Sequence, residues 1–201
     1  SGKFDQYKRD IPYATLAQAL ASLVRVVLGG SESEVQRWRE AMLEALGQNG
    51  QLIVNLIPEL ELIIGEQPAV LPLPPQDAQN RFQRVLSRFL AVFARQEQPL
   101  VLFLDDLQWV DLATIRLLED LMTQDEVRHL LLIGAYRDNE VGPTHPLPLT
   151  LDALSRRAAR LQRIVLAPLE QQDVRRLVSD TLRCEPESAH PLATLVQEKT
   201  G

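Results

Sequence analysis

Apolar residues recur every three or four positions through most of the first half of the chain, a spacing that places them on one face of an α-helix. Gly29 ends the first of these segments, and Ser31 or Ser33 caps the second. The segments with helical spacing are residues 13–28, 35–46, 50–64 and 82–93. Paired β-branched residues within 50–64 are equally compatible with a strand, which leaves either element open there.

The apolar pattern changes after Pro99. Leu100–Leu104 are five consecutive apolar residues, which is typical of a strand buried on both faces of a parallel sheet. Similar runs predict strands at Leu130–Ile133 and at Arg163–Leu166. The predicted helices of this half are residues 112–122, 151–161 and 169–182. Because strands and helices alternate, the sequence predicts an α/β fold.

Composition narrows the class of protein. The 201 residues are 45% hydrophobic and 24% charged, which is typical of a soluble globular chain. Cys184 is the only cysteine, which excludes an internal disulfide and a cysteine-based zinc site. The net charge of −6 disfavours nucleic acid and anionic lipid as partners. No uncharged stretch exceeds 14 residues, the length of Ile11–Val24, which is too short to span a membrane, so a cytoplasmic protein is expected.

Two adjacent carboxylates, Asp105 and Asp106, follow the first buried strand of the second half. Ligands of open parallel sheets bind at the carboxyl ends of the strands, and two acids there repel each other unless a cation offsets their charge. A buried strand followed by Asp-Asp is typical of a Walker B segment, in which one acid holds Mg²⁺ and the next orients a water molecule. The alternative is an ordinary strand exit that leads into a helix cap.

Arg137 follows the next predicted strand. If the two strands are neighbours, Arg137 lies beside the Asp-Asp pair, where a nucleotide's terminal phosphate develops charge. The alternative is a salt bridge from Arg137 to Asp106 or Asp138. Asp111 directly precedes an apolar helical segment and is interpreted as its N-cap, whereas Trp109 is either a wall of the site or a packing residue.

The phosphate-binding Walker A loop is missing from the sequence. That loop requires a glycine-rich segment ending in Gly-Lys-Ser or Gly-Lys-Thr, and the chain has only three lysines. Lys3 is followed by Phe4, Lys8 follows Tyr7, and Lys199 follows Glu198, so none fits the loop.

A family resemblance accounts for a Walker B segment without a Walker A loop. Residues 103–111 (FLDDLQWVD) and 134–141 (GAYRDNEV) resemble the ATPase domain of the signal-transduction ATPases with numerous domains, or STAND ATPases, an AAA-type P-loop group. The branch that the chain resembles lies in large bacterial sensor proteins, between a serine/threonine kinase-like domain and GAF or histidine-kinase modules. In that branch, residues 1–6 and 11–14 are similar to the exit of the second strand and the helix after it.

This resemblance implies a three-layer αβα P-loop NTPase-like core over residues 1–168, with a helical insertion at about residues 30–75. It implies that residues 169–201 are the start of a C-terminal helical subdomain. It also implies that Walker A and the first strand precede Ser1, and that a Gly-Asn-Pro-Phe segment follows Gly201. The resemblance places the missing strand between the predicted strands at residues 130–135 and 163–166. We expect these two strands to pair directly with each other or with a strand of another chain.

The resemblance also assigns roles. Asp105 is the Mg²⁺ ligand, Asp106 polarises the attacking water and Arg137 senses the phosphate. The longer protein to which this chain would belong, here called the intact polypeptide, would bind Mg-ATP, whereas this chain alone would bind none. The expected function is therefore a fragment of a regulatory ATP switch, with the flanking kinase and sensor domains and a second copy as partners. The alternatives are a degenerate ATPase fold that acts as a protein-interaction scaffold, and a nucleic-acid-binding module.

Overall fold

A computed structural model describes residues 1–5, 11–123, 126–142, 144–156 and 161–200 of the chain. The strands of this part are β1 (Gly2–Lys3), β2 (Leu100–Asp105) and β3 (Leu130–Gly134). Its helices are α1 (Ala14–Leu28), α2 (Glu32–Leu46), α3 (Gly50–Leu56), α4 (Glu61–Ile64), α5 (Pro75–Phe93), α6 (Leu112–Thr123), α7 (Pro146–Arg156), α8 (Gln171–Leu182) and α9 (Pro186–Thr200). None of these helices has the length and apolar character that crossing a membrane requires.

The three strands form a parallel sheet in the order β1-β2-β3. Leu104 in β2 lies opposite Gly2 on one side and Gly134 on the other. The predicted helix-rich α/β fold with a parallel sheet is therefore confirmed. The first residues of the chain also end a strand, as the resemblance implied.

Helix α1 lies directly over β1. A Cβ atom on Gly2 would stand 2.9 Å from both the Cγ2 and the carbonyl oxygen of Thr15, closer than such atoms approach in proteins. The hydroxyl of Thr15 donates to the carbonyl oxygen of Lys3 at 3.4 Å. Glycine at position 2 thus allows the helix to reach the strand.

Ser31 is the N-cap of helix α2, which settles the choice between the two serines. The backbone N–H of Ser31 donates to Glu34 Oε2 at 2.8 Å, and the pair forms a capping box. Residues 50–64 are helical but interrupted, since Ile57 is extended before Pro58. A proline disfavours the α region in the residue before it, which ends α3 there.

The core of the larger unit, Ser1–Leu161, is made by the apolar faces that the spacing predicted. Helix α5 contributes Phe89, whose side chain is fully buried, and Phe93, whose ring stacks on Trp38 at 5.0 Å between centroids. The largest fully buried side chains of this unit are Leu16, Leu20, Met42, Leu46, Ile53, Ile57, Leu60, Leu86, Phe89, Leu90, Leu104 and Leu117.

One face of the sheet differs from the prediction. Leu102 and Leu104 are buried, but the alternate side chains of β2 and β3 are exposed. These are Val101, Phe103, Leu131 and Ile133, with 38–55% of their surface accessible. The prediction of burial on both faces is therefore wrong. An apolar run is compatible with burial on both faces, but burial also requires a layer of helices on each face, and the described residues cover one face only.

The predicted third strand at Arg163–Leu166 is also wrong. Residues 161–170 are in neither a helix nor a strand, and Ile164, Val165 and Leu166 are 75–87% exposed. A strand forms only when a neighbour satisfies its backbone groups, and β3 pairs with β2 alone in the described part of the chain. The expected direct closure between the two segments stays a prediction.

The smaller unit, Gln162–Gly201, consists of the hairpin of α8 and α9. Glu170 and Asp173 form a capping box at the start of α8. The hydroxyl of Ser179 donates to the carbonyl oxygen of Cys184 at 2.5 Å where the helix ends. The predicted domain limits, with a boundary at 168/169, stay a prediction.

Truncation of a core leucine on α1 tests this packing. Leu20 is 1% exposed and Val26, on the same helix, is 73% exposed. We expect Leu20→Ala to lower the free energy of unfolding by about 2–5 kcal/mol, because it leaves a cavity. Val26→Ala, the matched control, should change it by less than about 0.5 kcal/mol. Urea unfolding measures both values, and equal losses would contradict the packing described.

Candidate functional site

The carboxyl ends of the three strands meet at one edge of the sheet. Lys3 is in register with Asp105, and the N–H of Phe4 donates to the carbonyl oxygen of Asp105 at 3.0 Å. On the other side of β2, the N–H of Ala135 donates to the carbonyl oxygen of Leu104 at 2.9 Å. Side chains that follow any of these strands therefore emerge close together.

Asp105 and Asp106 lie at the centre of this edge. The backbone N–H of Asp106 donates to Oδ1 of Asp105 at 2.9 Å. The side chain of Asp105 is 41% exposed and that of Asp106 is 15% exposed. Asp106 has left-handed backbone angles (φ 55°, ψ 43°), which turn the chain sharply out of β2. Such a conformation costs energy for most residues and is tolerated best by Gly, Asn and Asp.

Lys3 supplies a cation that the sequence analysis did not assign to the site. Its ammonium group lies 3.1 Å from Oδ2 of Asp106 and 4.0 Å from Oδ2 of Asp105. In the sequence, Lys3 is a candidate only for a Walker A lysine, and it does not fit that motif. The signal that identifies it is the resemblance of residues 1–6 to a strand exit, because parallel strands end at the same edge.

Arg137 reaches the same carboxylate from the other side. Its Nε lies 4.0 Å from Oδ1 of Asp106, and its guanidinium forms a closer ion pair with Glu140 at 3.1 Å. The predicted position beside the Asp-Asp pair is observed, and the alternative of a salt bridge to Asp106 applies only at this longer distance. The side chain of Arg137 is 66% exposed, so solvent screens these interactions. Its assignment as a phosphate sensor stays a prediction.

The cations keep Asp106 ionised. The hydrogen bond from Lys3 is the largest cause that lowers the pKa of the Asp106 carboxyl, followed by the bond from Gln108. The same contact with Asp106 raises the pKa of Lys3. The self-repulsion expected of two adjacent carboxylates is therefore offset by a lysine of the chain itself.

The oxygen atoms of this edge fit a magnesium ion. Magnesium binds through one or two carboxylates and keeps waters and substrate phosphates as its other ligands, whereas zinc requires a fuller set of protein ligands. In the described ranges, no group of three or more His, Cys, Asp or Glu residues is arranged to hold a metal. Asp105 is the more accessible of the two acids. The edge carries the cations Lys3 and Arg137, and the sequence has no Walker A motif.

Asp111 has a structural role. Its Oδ1 accepts from the N–H of Thr114 at 2.8 Å, and its Oδ2 accepts from the hydroxyl of Thr114 and from the N–H of Tyr13 at 3.4 Å. The predicted N-cap of α6 is therefore confirmed. Trp109 is half-buried and packs against the core, which supports its interpretation as a packing residue.

Removal of the Lys3 charge tests the electrostatics of the edge. We expect Lys3→Met to raise the pKa of Asp106 towards the ordinary aspartate value of about 3.9. A carboxyl with a lowered pKa in the folded state stabilises the fold above its unfolded pKa, and this contribution is lost as the pH falls through the folded pKa. As the pH falls from the unfolded to the folded pKa of Asp106, the free energy of unfolding should therefore decrease less in the variant than in the wild type. Carbon-detected NMR titration of the Asp106 carboxyl measures the change.

Arg25→Met is the matched control for this titration. Arg25 forms an ion pair with Glu59 at 3.0 Å on the surface of α1. Its removal should raise the pKa of Glu59 and leave that of Asp106 unaltered. If Lys3→Met left the pKa of Asp106 unchanged, the ion pair between Lys3 and Asp106 would be contradicted.

Known proteins match parts of this chain. The AAA ATPase domain family matches residues 1–133, which include β1, β2 and nearly all of β3. Hybrid signal transduction histidine kinase G of Dictyostelium discoideum is 44% identical over 121 residues, which are 60% of this chain and 4% of that protein. Histidine protein kinase 1 of Candida albicans is 26% identical over 139 residues, which are 62% of this chain and 6% of that protein.

The chain therefore spans only a small share of the length of these relatives. No solved structure matches it. The family match covers well over half of the chain and contains Lys3, Asp105 and Asp106. The chain belongs to the AAA ATPase domain family.

Proposed function

We propose that this chain is part of a regulatory ATP-binding and ATP-hydrolysing switch in a multidomain signalling protein. The observation that carries the proposal is the edge of the sheet where Asp105 and Asp106 end β2 between Lys3 and Arg137. Paired acids for a metal and cations for a phosphate are the groups that phosphoryl transfer requires.

Each residue has a distinct role in this proposal. Asp105, the more exposed acid, holds Mg²⁺ of a bound Mg-ATP, which supplies the phosphoryl group. Asp106 orients and polarises the water that attacks, and its lowered pKa keeps the carboxylate ionised so that it accepts a hydrogen bond from that water. Arg137 stabilises the charge that develops on the terminal phosphate.

The phosphate cradle comes from elsewhere in the proposed protein. The sequence has no Walker A motif, and the STAND resemblance puts that motif before residue 1 in the same polypeptide. We propose that the first strand and its loop complete the site there. Backbone N–H groups and a lysine of such a loop supply most of the phosphate recognition, so this chain alone should bind ATP weakly or not at all.

The partners we propose are kinase and sensor domains of the same polypeptide, with a second copy of the chain as a further partner. Both relatives are named as histidine kinases and are many times longer than this chain. The branch of bacterial sensor proteins that the motifs resemble has the same kind of organisation. The cytoplasm is the proposed location, since these modules act there.

Substitution of the two acids in the intact polypeptide tests this function. We expect Asp106→Asn to lower kcat for ATP hydrolysis by about 10²–10⁴-fold while ATP still binds, because it removes the base and not the cradle. Asp105→Asn should weaken ATP binding in the presence of Mg²⁺ but not in its absence. Steady-state hydrolysis and nucleotide titration measure these effects.

Asp111→Asn is the matched control for these substitutions. Asparagine caps helices about as well as aspartate, so this change removes a nearby carboxylate without altering the proposed chemistry. Wild-type turnover is expected. If the wild-type polypeptide binds no nucleotide, the switch is excluded and the scaffold alternative replaces it. The exposed sheet face with Val101 and Phe103 would then be the surface that binds a protein.

Arg137→Ala tests the phosphate-sensing role. We expect hydrolysis to fall by about 10²-fold or more, as when one charge-stabilising donor is removed from a transition state. Arg25→Ala is the control, since Arg25 also pairs with a glutamate and is similarly exposed (61% against 66%). Equal hydrolysis by both variants would exclude Arg137 from the reaction.

A further inference from the structure

Gln108 is a buried polar residue between the ends of β2 and β3. It lies in the short 3₁₀ turn Leu107–Trp109 and is 4% exposed. Its Nε2 donates to Oδ1 of Asp106 at 3.0 Å, and its Oε1 accepts from the backbone N–H of Arg137 at 3.3 Å. One side chain therefore joins the acid of one strand end to the arginine segment of the next.

The orientation of this amide is fixed by its two partners. A carboxylate can only accept a hydrogen bond, and a backbone N–H can only donate one. With the amide reversed, oxygen would face oxygen at Asp106 and NH₂ would face N–H at Arg137. Both hydrogen bonds therefore depend on a single orientation of Gln108.

The turn itself is held by separate contacts. The N–H of Leu147 donates to Nδ1 of His145 at 3.1 Å, so Nε2 carries the proton and donates to the carbonyl oxygen of Gln108 at 3.0 Å. The N–H of Leu107 donates to the carbonyl oxygen of Ala135 at 2.9 Å. These backbone bonds do not involve the amide of Gln108, so they persist when that side chain is replaced.

Burial of an amide has a cost that an apolar residue would avoid. A buried polar group destabilises the fold unless its hydrogen bonds are made, and an apolar side chain of this size could fill the same space. Gln108 makes one bond to Asp106 and one to the Arg137 backbone. The glutamine is thus accounted for by the two groups that it connects and not by packing.

We infer that Gln108 is a positioning residue for the reaction. It holds one oxygen of Asp106 while Lys3 holds the other, which fixes the carboxylate, and it sets the distance from Asp106 to the segment that carries Arg137. The catalytic part of this inference rests on the proposed ATP hydrolysis. Gln108 acts through Asp106 and Arg137 and itself contacts neither water nor phosphate in this role.

Two substitutions separate the two bonds. Gln108→Met has a similar length and removes both, whereas ionised Gln108→Glu keeps an acceptor for the Arg137 N–H, loses the donor to Asp106 and adds repulsion between the two carboxylates. Gln36→Met is the matched control, because Gln36 also donates to a carboxylate, that of Glu40 at 2.8 Å, on the exposed face of α2.

Amide hydrogen exchange at Arg137 in this chain measures the bridge without nucleotide. We expect exchange about 2- to 10-fold faster in Gln108→Met, in line with the loss of one hydrogen bond, and close to wild type in Gln108→Glu and Gln36→Met. Unchanged exchange in Gln108→Met would overturn the bridge.

Hydrolysis by the intact polypeptide measures the positioning. We expect both Gln108 variants to lower kcat by about 10²-fold with the KM for Mg-ATP unaltered, since a misplaced group costs turnover and not binding. Faster exchange with wild-type kcat, in a polypeptide that Asp106→Asn inactivates, would overturn the positioning role alone. If the wild type does not turn over ATP, the proposed function and the catalytic part of this inference both fail, and the exchange result still decides the bridge.

Discussion

Parallel pairing in register is the constraint on which the site depends. Residues from the start, middle and later part of the chain come together only because β1, β2 and β3 end at the same edge. This alignment places Lys3 beside Asp105 and places the residues after Gly134 beside Asp106. A slip of the pairing by one residue would turn each side chain to the opposite face and separate the charges.

Close packing keeps that alignment in place. Helix α1 lies against Gly2 with no space for a side chain, and the turn after β2 lies against Gly134 in the same way, since a Cβ there would overlap Leu107. Both glycines are at strand ends, next to the charged residues. The strand ends are thus held by close packing at these two glycines, and the charged side chains of the edge are left partly exposed.

The sequence predicted those features that depend on local spacing. Helices α1, α2 and α5, strands β2 and β3, and the Asp111 cap all follow from residues near one another in the chain. The sequence did not predict the exposed face with Val101 or the missing strand at 163–166, because both depend on which other strands and helices lie beside them. Lys3 and Gln108 were missed for the same reason: both lie in segments that carry the resemblance, but each acquires its role from a contact with Asp106 that spacing along the chain does not show.

The left-handed backbone of Asp106 limits which side chains can stand at this position. Asparagine shares the tolerance of aspartate for this conformation, whereas alanine or glutamate adds backbone strain to the loss or displacement of the carboxylate. A short polar residue would therefore be favoured here by the shape of the chain, independently of any chemistry at this edge. Across a set of such sequences, a change from Asp to Asn at this position would remove the carboxylate and keep the turn, whereas a change to a bulkier residue would mark a rebuilt turn.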